Sequence, residues 1–120
     1  MAQTKVSKNE ITTQEAWIAP TLQNSWVNYG SGFDAVGYMK DALGFVHIKG
    51  FVKSGTTTAA TVLFTLPAGY RPGGNTYLTS GFGAGGTINA WELQTDGDVL
   101  VQLANATYSS LGHIVFLAEN

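Results

Sequence analysis

The stretch from Thr61 to Pro72, TVLFTLPAGYRP, constrains this chain more tightly than any other. Its first half, Thr61 to Leu66, is β-branched, apolar or aromatic throughout and reads as a strand. Pro67 removes a backbone donor and fixes φ, so the strand ends there as a central ladder partner. Gly69 permits a positive φ, and Pro72 drives Arg71 into an extended conformation. The product is a rigid corner that presents Tyr70 and Arg71. Pro67, Gly69, Tyr70, Arg71 and Pro72 are assigned to structure, with Arg71 expected to satisfy carbonyls or a carboxylate rather than to grip a ligand.

The rest of the chain alternates with the period of a strand. In Phe45 to Lys53, Val46, Ile48, Gly50 and Val52 share one face, and Phe45, His47, Lys49, Phe51 and Lys53 share the other. Val36 to Lys40 pairs with this strand across Asp41 to Gly44, giving a hairpin over Val36 to Lys53. A second hairpin joins Thr87–Gln94 to Val99–Leu103 around Asp96, Gly97 and Asp98. Tyr77 to Ser80 and His113 to Ala118 supply further strands, and Trp17 to Tyr29 contains short ones. YGSGFD, from Tyr29 to Asp34, and GFGAGG, from Gly81 to Gly86, read as loops. The chain is therefore all-β, with a polar arm over residues 1–16 and a β domain over residues 17–120. A helix within the arm, over Lys8 to Ala16, is conceivable because Ser7 and Glu10 have capping-box spacing.

Two strands are apolar on both faces. Val115 and Leu117 oppose Ile114 and Phe116, and Val62 and Phe64 alternate with Leu63 and Leu66. In a small antiparallel domain one face normally meets water, so this doubling implies a second contact layer. A subunit interface through Val62, Phe64, Val115 and Leu117 would provide it, as would an arm laid across the sheet.

Composition narrows the function. The chain has 120 residues, no cysteine, and six basic against eight acidic residues. That length suffices for one core burying about two-thirds of the unfolded surface. Disulfides, thiol catalysis and cysteine-rich zinc sites are excluded. The thin spread of lysines leaves no basic footprint for nucleic acid. No apolar run approaches the roughly 20 residues of a membrane span, and the polar start MAQTKVSKNE does not resemble a signal peptide.

Catalytic patterns are weak. His47 and His113 lack HxH or HExxH spacing, so no metal ligands are assigned. Asp96 and Asp98 flank a glycine and read as turn formers. Glu92, Asp34 and Asp41 are the conceivable carboxylates of a glycosidase, but the sequence places no two of them at catalytic separation. The glycines of GFGAGG are followed by no Lys and no helix start, so they do not form a phosphate loop. No catalytic residue and no cofactor is expected.

A strand ending in TLPAGYRP, preceded by GFVHIKGFVKSG (Gly44 to Gly55) and followed by a strand, a DG turn and a strand (Trp91 to Leu103), resembles the carboxy-terminal head domain of phage tail-fibre, baseplate and receptor-binding proteins. The resemblance covers Trp26 to Asn120. It implies a compact antiparallel β-sandwich or jelly-roll-like barrel, assembled as an intertwined homotrimer and carried on a virion. The partners it implies are further copies of the chain, other virion proteins reached through residues 1–16, and a host-surface saccharide. Sugars are held by aromatic faces combined with directional polar groups. Trp91, Tyr77, Asn105 and Tyr108 are the candidates, Tyr108 in ANATYSS being the better exposed, while packing in the core or an interface is the favoured reading of Trp91. Trp17 and Trp26 are assigned to packing in the core or an interface. A decoration or auxiliary head fibre without receptor binding is the alternative within the virion, and a free carbohydrate-binding module is the alternative outside it.

Overall fold

The computed structural model describes residues 15–120; most of the arm, with the helix considered for it, lies outside the described residues. The strands are β1 (Val27–Asn28), β2 (Gly37–Lys40), β3 (Phe45–Lys53), β4 (Thr61–Thr65), β5 (Thr76–Gly83), β6 (Thr87–Leu93), β7 (Asp98–Leu103) and β8 (Ser109–Leu117). They form one antiparallel sheet in the order β1-β3-β8-β5-β6-β7-β4, with β2 sharing the edge of β3 beside β1. The chain preceding β1 reaches the far edge of the sheet. Gln23 N–H donates to Leu63 O at 2.8 Å and the Asn24 amide donates to Val62 O at 2.7 Å. The sheet consequently curls into a half-barrel, and its β4 edge gains partners where it would otherwise expose unpaired backbone.

Hairpin turns follow from side-chain capping of backbone groups. Asp41 Oδ1 accepts from the amides of Leu43 and Phe45, closing β2 onto β3. Asp96 Oδ1 accepts from Asp98 N–H, closing β6 onto β7. The inward face of β3 is Val46, Ile48, Gly50 and Val52, all buried, and it meets Trp26, Leu63, Phe64, Trp91 and Leu111 across the core. Of the two tryptophans assigned to packing in the core or an interface, Trp26 is in the core, whereas Trp17 is 43% exposed and outside it. The bridge between Ile18 and Tyr38 turns Ile18 inward, and alternation then sends Trp17 outward beneath the Lys49 ammonium, 4.8 Å from its ring.

The doubled apolar pattern has two separate origins. In β4 the register with β7 shifts between Val62 and Phe64, so a bulge at Leu63 points Leu63 and Phe64 into the same core. Phe64 is thus an internal core residue, which removes it from the interface set, and Val62 is half-buried. β8 has no such bulge near its end. Ile114 is buried, whereas Val115 and Leu117 remain 50% and 45% exposed on the outer face.

The corner after β4 gathers both ends of the described chain. Asn120 O accepts from the amides of Gly69 and Arg71, while Arg71 O accepts from those of Glu119 and Asn120. Arg71 Nε donates to Leu66 O at 2.9 Å. Tyr70 O–H donates to Glu15 Oε2 at 2.6 Å, and Glu15 Oε1 accepts from Lys40 N–H. The bond to the Glu15 carboxylate, helped by burial, pushes the Tyr70 phenol up to about 12. Since folding favours the protonated phenol, this contribution to stability is complete below the ordinary tyrosine value and is lost as pH rises through about 12. An ultraviolet titration should contain a late step near pH 12, and Tyr70→Phe should remove one tyrosine from it while leaving Tyr38, whose phenol burial and Glu15 also push up. A late step of unchanged amplitude in the variant would mean that Tyr70 is not held by Glu15.

Candidate functional site

Five aromatic side chains converge at the end of the half-barrel remote from the corner. Tyr29 follows β1, Phe33 lies in the YGSGFD turn, Phe51 sits near the end of β3, Phe82 near the end of β5, and Tyr108 just before β8. Phe33 stacks on Phe51 with ring centroids 4.7 Å apart and planes at 25°. Tyr29 meets Phe33 and Phe51 edge-on at 5.4 and 5.0 Å, and Tyr108 lies 5.2 Å from Phe51. These rings line an open depression of about 370 Å³. A second of about 270 Å³ adjoins it, sharing Phe33, Phe51 and Phe82 and adding Asp34, Ser110 and the backbone of Gly50 and Gly112. Phe33 and Phe82 are 55% and 59% exposed, which is unusual for clustered phenyl rings on a surface.

Local geometry explains the cluster. The outer face of β3 presents Phe51, and the register with β8 slips between Gly50 and Phe51, bringing Phe51 opposite Ser110. On the neighbouring strand a shift between Thr79 and Phe82 sends Phe82 outward. That close crossing requires glycine. Gly112, at φ +60°, lies against Ser80 and Gly81, where an added Cβ would come within 2.6 Å of Ser80 Oγ. The floor of the groove is therefore bare backbone and its walls are rings.

Polar groups border these rings. Lys49 Nζ lies 3.5 Å from Asp34 Oδ1, and Lys53 Nζ sits 5.2 Å from the centre of the Tyr29 ring. The side chain of Asp34 is mostly exposed and faces the smaller depression. Apolar faces flanked by a carboxylate, a hydroxyl and two ammonium groups suit a ligand with both an apolar face and hydroxyl groups.

Of the four ligand candidates chosen from sequence, only Tyr108 lines this groove. Asn105 lies in the same loop but works internally, its Oδ1 accepting from Thr107 N–H and its backbone N–H donating to Ser109 Oγ. Tyr77 is 72% exposed at the opposite end of β5. Trp91 is fully buried, and its indole N–H donates to Ser80 O at 3.2 Å, so its ring has no face for a ligand. It faces inward because a bulge between Ala90 and Trp91 resets the alternation of β6 against β7. Tyr29, Phe33, Phe51 and Phe82 were not among those candidates. For Tyr29, Phe33 and Phe82 the signal was an aromatic residue beside glycine, in YGSGFD and SGFGAGG; Phe51 carried none beyond its place on the outer face of its strand.

Other carboxylates are already engaged. Glu92 accepts from the side-chain amides of Gln94 and Gln102, and Asp41 accepts from His47 and two backbone amides. Among the described residues no group of three or more His, Asp or Glu is arranged to hold a metal.

No protein-family profile matches this chain, and no curated protein matches it significantly. Among solved structures, the crystal structure of the receptor binding protein (gp15) of Listeria phage PSA superposes with a TM-score of 0.73 at 16% identity, covering 93% of this chain and 69% of that one. The likeness is one of fold. The chain shares that architecture across nearly its whole length, so the curled sheet is common ground while the residues that fill it are largely its own.

Proposed function

We propose that this chain is a non-enzymatic virion component, the homotrimeric head of a phage fibre or spike, which attaches to a host-surface saccharide through the aromatic groove. One observation carries the reading. The five-ring groove lies at the Phe51 end of β3 and β8, whereas Glu15 and Asn120 are clasped near the Leu117 end. Those ends are separated by roughly 23 Å of strand, at about 3.3 Å per residue. A chain tethered to a particle through residues 1–16 would then hold its groove away from the tether. The fold shared with a phage receptor-binding protein supports the same assignment.

Attachment of purified protein to bacterial cell walls tests this directly. Binding should be lost when the walls are treated with periodate, which destroys vicinal diols. It should also weaken about tenfold in Tyr108→Ala, the loss expected when one stacking wall of a shared site is truncated. Attachment that survives periodate would remove the saccharide. Specific attachment to no bacterial wall at all would favour an auxiliary fibre without receptor binding.

A further inference from the structure

We propose that the outer face of β3 and β8 at their Phe45–Leu117 end is where copies of this chain meet, and that the His47–His113 pair set into that face releases them in acid. The proposal rests on the oligomeric reading above and adds to it the surface used and a condition that undoes it.

The face is contiguous. Phe45 is the register partner of Leu117 and His47 that of Val115, and Leu43 stands on the turn just before Phe45. Leu43, Phe45, Val115 and Leu117 leave 81%, 38%, 50% and 45% of their surface in water. That is on the order of 350 Å² between them, at roughly 150–250 Å² for a large side chain. Together with the flanking imidazoles and the polar residues at its rim, the patch would form the apolar centre of a contact of the smaller specific class, ~600 Å² from each partner. A patch of this size ranks with the largest that a lone domain exposes, and such patches are often functional. A second copy is the occupant that fits, because the patch is apolar at its centre and carries both signs at its edge, Asp41 on one side and Lys49 on the other. The aromatic groove lies at the opposite end of the same strands, so contact here leaves it open.

The histidines give the face its pH dependence. His47 Nε2 lies 2.8 Å from Asp41 Oδ2, and His47 Nδ1 lies 3.0 Å from His113 Nε2. The carboxylate needs a donor, so Nε2 of His47 carries a proton. In the neutral ring Nδ1 then accepts, and Nε2 of His113 donates to it. The resulting chain runs from His113 through His47 to Asp41 with every bond made. One added proton can be absorbed with the chain intact, at Nδ1 of His113 or, if His113 first moves its own proton there, at Nδ1 of His47. With both rings doubly protonated, two N–H groups would confront each other at 3.0 Å, and the pair must open. Imidazoles ordinarily charge between pH 5 and 8. Against the protons Asp41 supplies one negative charge. Lys49, the register partner of His113, supplies a positive one and is itself drawn toward Asp34. From β2 the neighbour of His47 is the uncharged Met39, and from β5 it is Ser80 that reaches β8, at Leu111 O. Charge placed here must be desolvated when a second copy covers it, so protonation opposes contact.

Light scattering on the full chain at pH 8 and pH 5, with circular dichroism to confirm that the fold persists, tests both parts. The wild-type chain should be oligomeric at pH 8 and dissociate at pH 5, its assembly weakening about tenfold per pH unit for each proton taken up. His113→Gln keeps a donor to His47 but cannot charge, and should stay assembled at pH 5. Leu117→Asp should be monomeric at both. A wild-type monomer at pH 8 would overturn the oligomeric reading itself. Equal assembly at both pH values would leave that reading intact and overturn acid release. Assembly that survives Leu117→Asp would assign the contact to another surface. Nitrogen chemical shifts of the imidazoles provide a readout independent of assembly: an unprotonated Nδ1 on His47 at pH 8 supports the pair, and a protonated one overturns it.

Discussion

Phe51→Ala should abolish measurable attachment while leaving the protein folded, the largest effect on binding available from one side chain in the groove. Phe51 borders both depressions and touches Tyr29, Phe33 and Tyr108, so its removal takes the common wall from the site and frees the rings that lean on it. Central aromatic anchors of this kind are worth about 2–4 kcal/mol, so a loss of roughly thirtyfold to several hundredfold is expected. The cost to folding is smaller, about 1–2 kcal/mol, because Phe51 lies on the outer face of β3 and is only half-buried. Binding isotherms on cell walls, measured below the melting transition of each variant, provide the check. Tyr77→Ala, equally aromatic but at the other end of β5, should bind as the wild type does. Wild-type affinity in Phe51→Ala would remove the groove from the attachment surface.

Much of this fold was legible in the chain because its strands obey one rule at a time. β3 alternates without interruption from Val46 to Val52, and its buried face matches the sequence pattern residue for residue. The two hairpins were equally plain, since Asp41 and Asp96 cap their turns through contacts two residues away. Legibility failed where a bulge reset the alternation. Leu63 and Phe64 look like opposite faces of β4, yet both enter the same core, and only the pairing with β7 reveals it. The glycines of GFGAGG likewise read as a loop, but β5 continues through Gly83 because close approach to β8 demands residues without side chains there.

The candidate site was harder to read for a related reason. Its rings come from three loops or strand ends and two strands that are distant in sequence, and nothing local marks Tyr29, Phe33, Phe51, Phe82 and Tyr108 as neighbours. Trp91 was attractive as the largest aromatic on a hairpin strand, but its indole N–H finds Ser80 O inside the protein, where a buried tryptophan can satisfy its one donor. The histidine pair was invisible for a simpler cause. His47 and His113 are 66 residues apart, and only the register of β3 with β8 brings their rings within 3.0 Å.

Gly97→Ala should produce the largest loss of stability of any single methyl group considered, because the most constraining stretch of the sequence closes on that position. Gly97 has φ +94°, which an alanine adopts only with strain. Its added Cβ would stand 2.1 Å from Leu66 O and 2.8 Å from Arg71 Nε. Those atoms cannot step aside independently. Leu66 N–H donates to Gly97 O at 2.7 Å, and Arg71 Nε donates to Leu66 O at 2.9 Å. Relieving the clash therefore opens both bonds and loosens the corner that holds Asn120 through Gly69 and Arg71. Adding about 1 kcal/mol for the left-handed backbone, about 1 kcal/mol for each hydrogen bond and 1–2 kcal/mol for overpacking gives roughly 4–5 kcal/mol. That corresponds to a fall in melting temperature of about 10–20 °C for a domain of this size. Gly74→Ala is the matched control, since nothing lies within 4 Å of its Cβ position and its φ is not positive. Thermal melts of the two alanine variants should diverge widely. If they coincide, Gly97 does not seat the TLPAGYRP corner, and the corner would have to be held by Pro67, Pro72 and the Asn120 bonds alone.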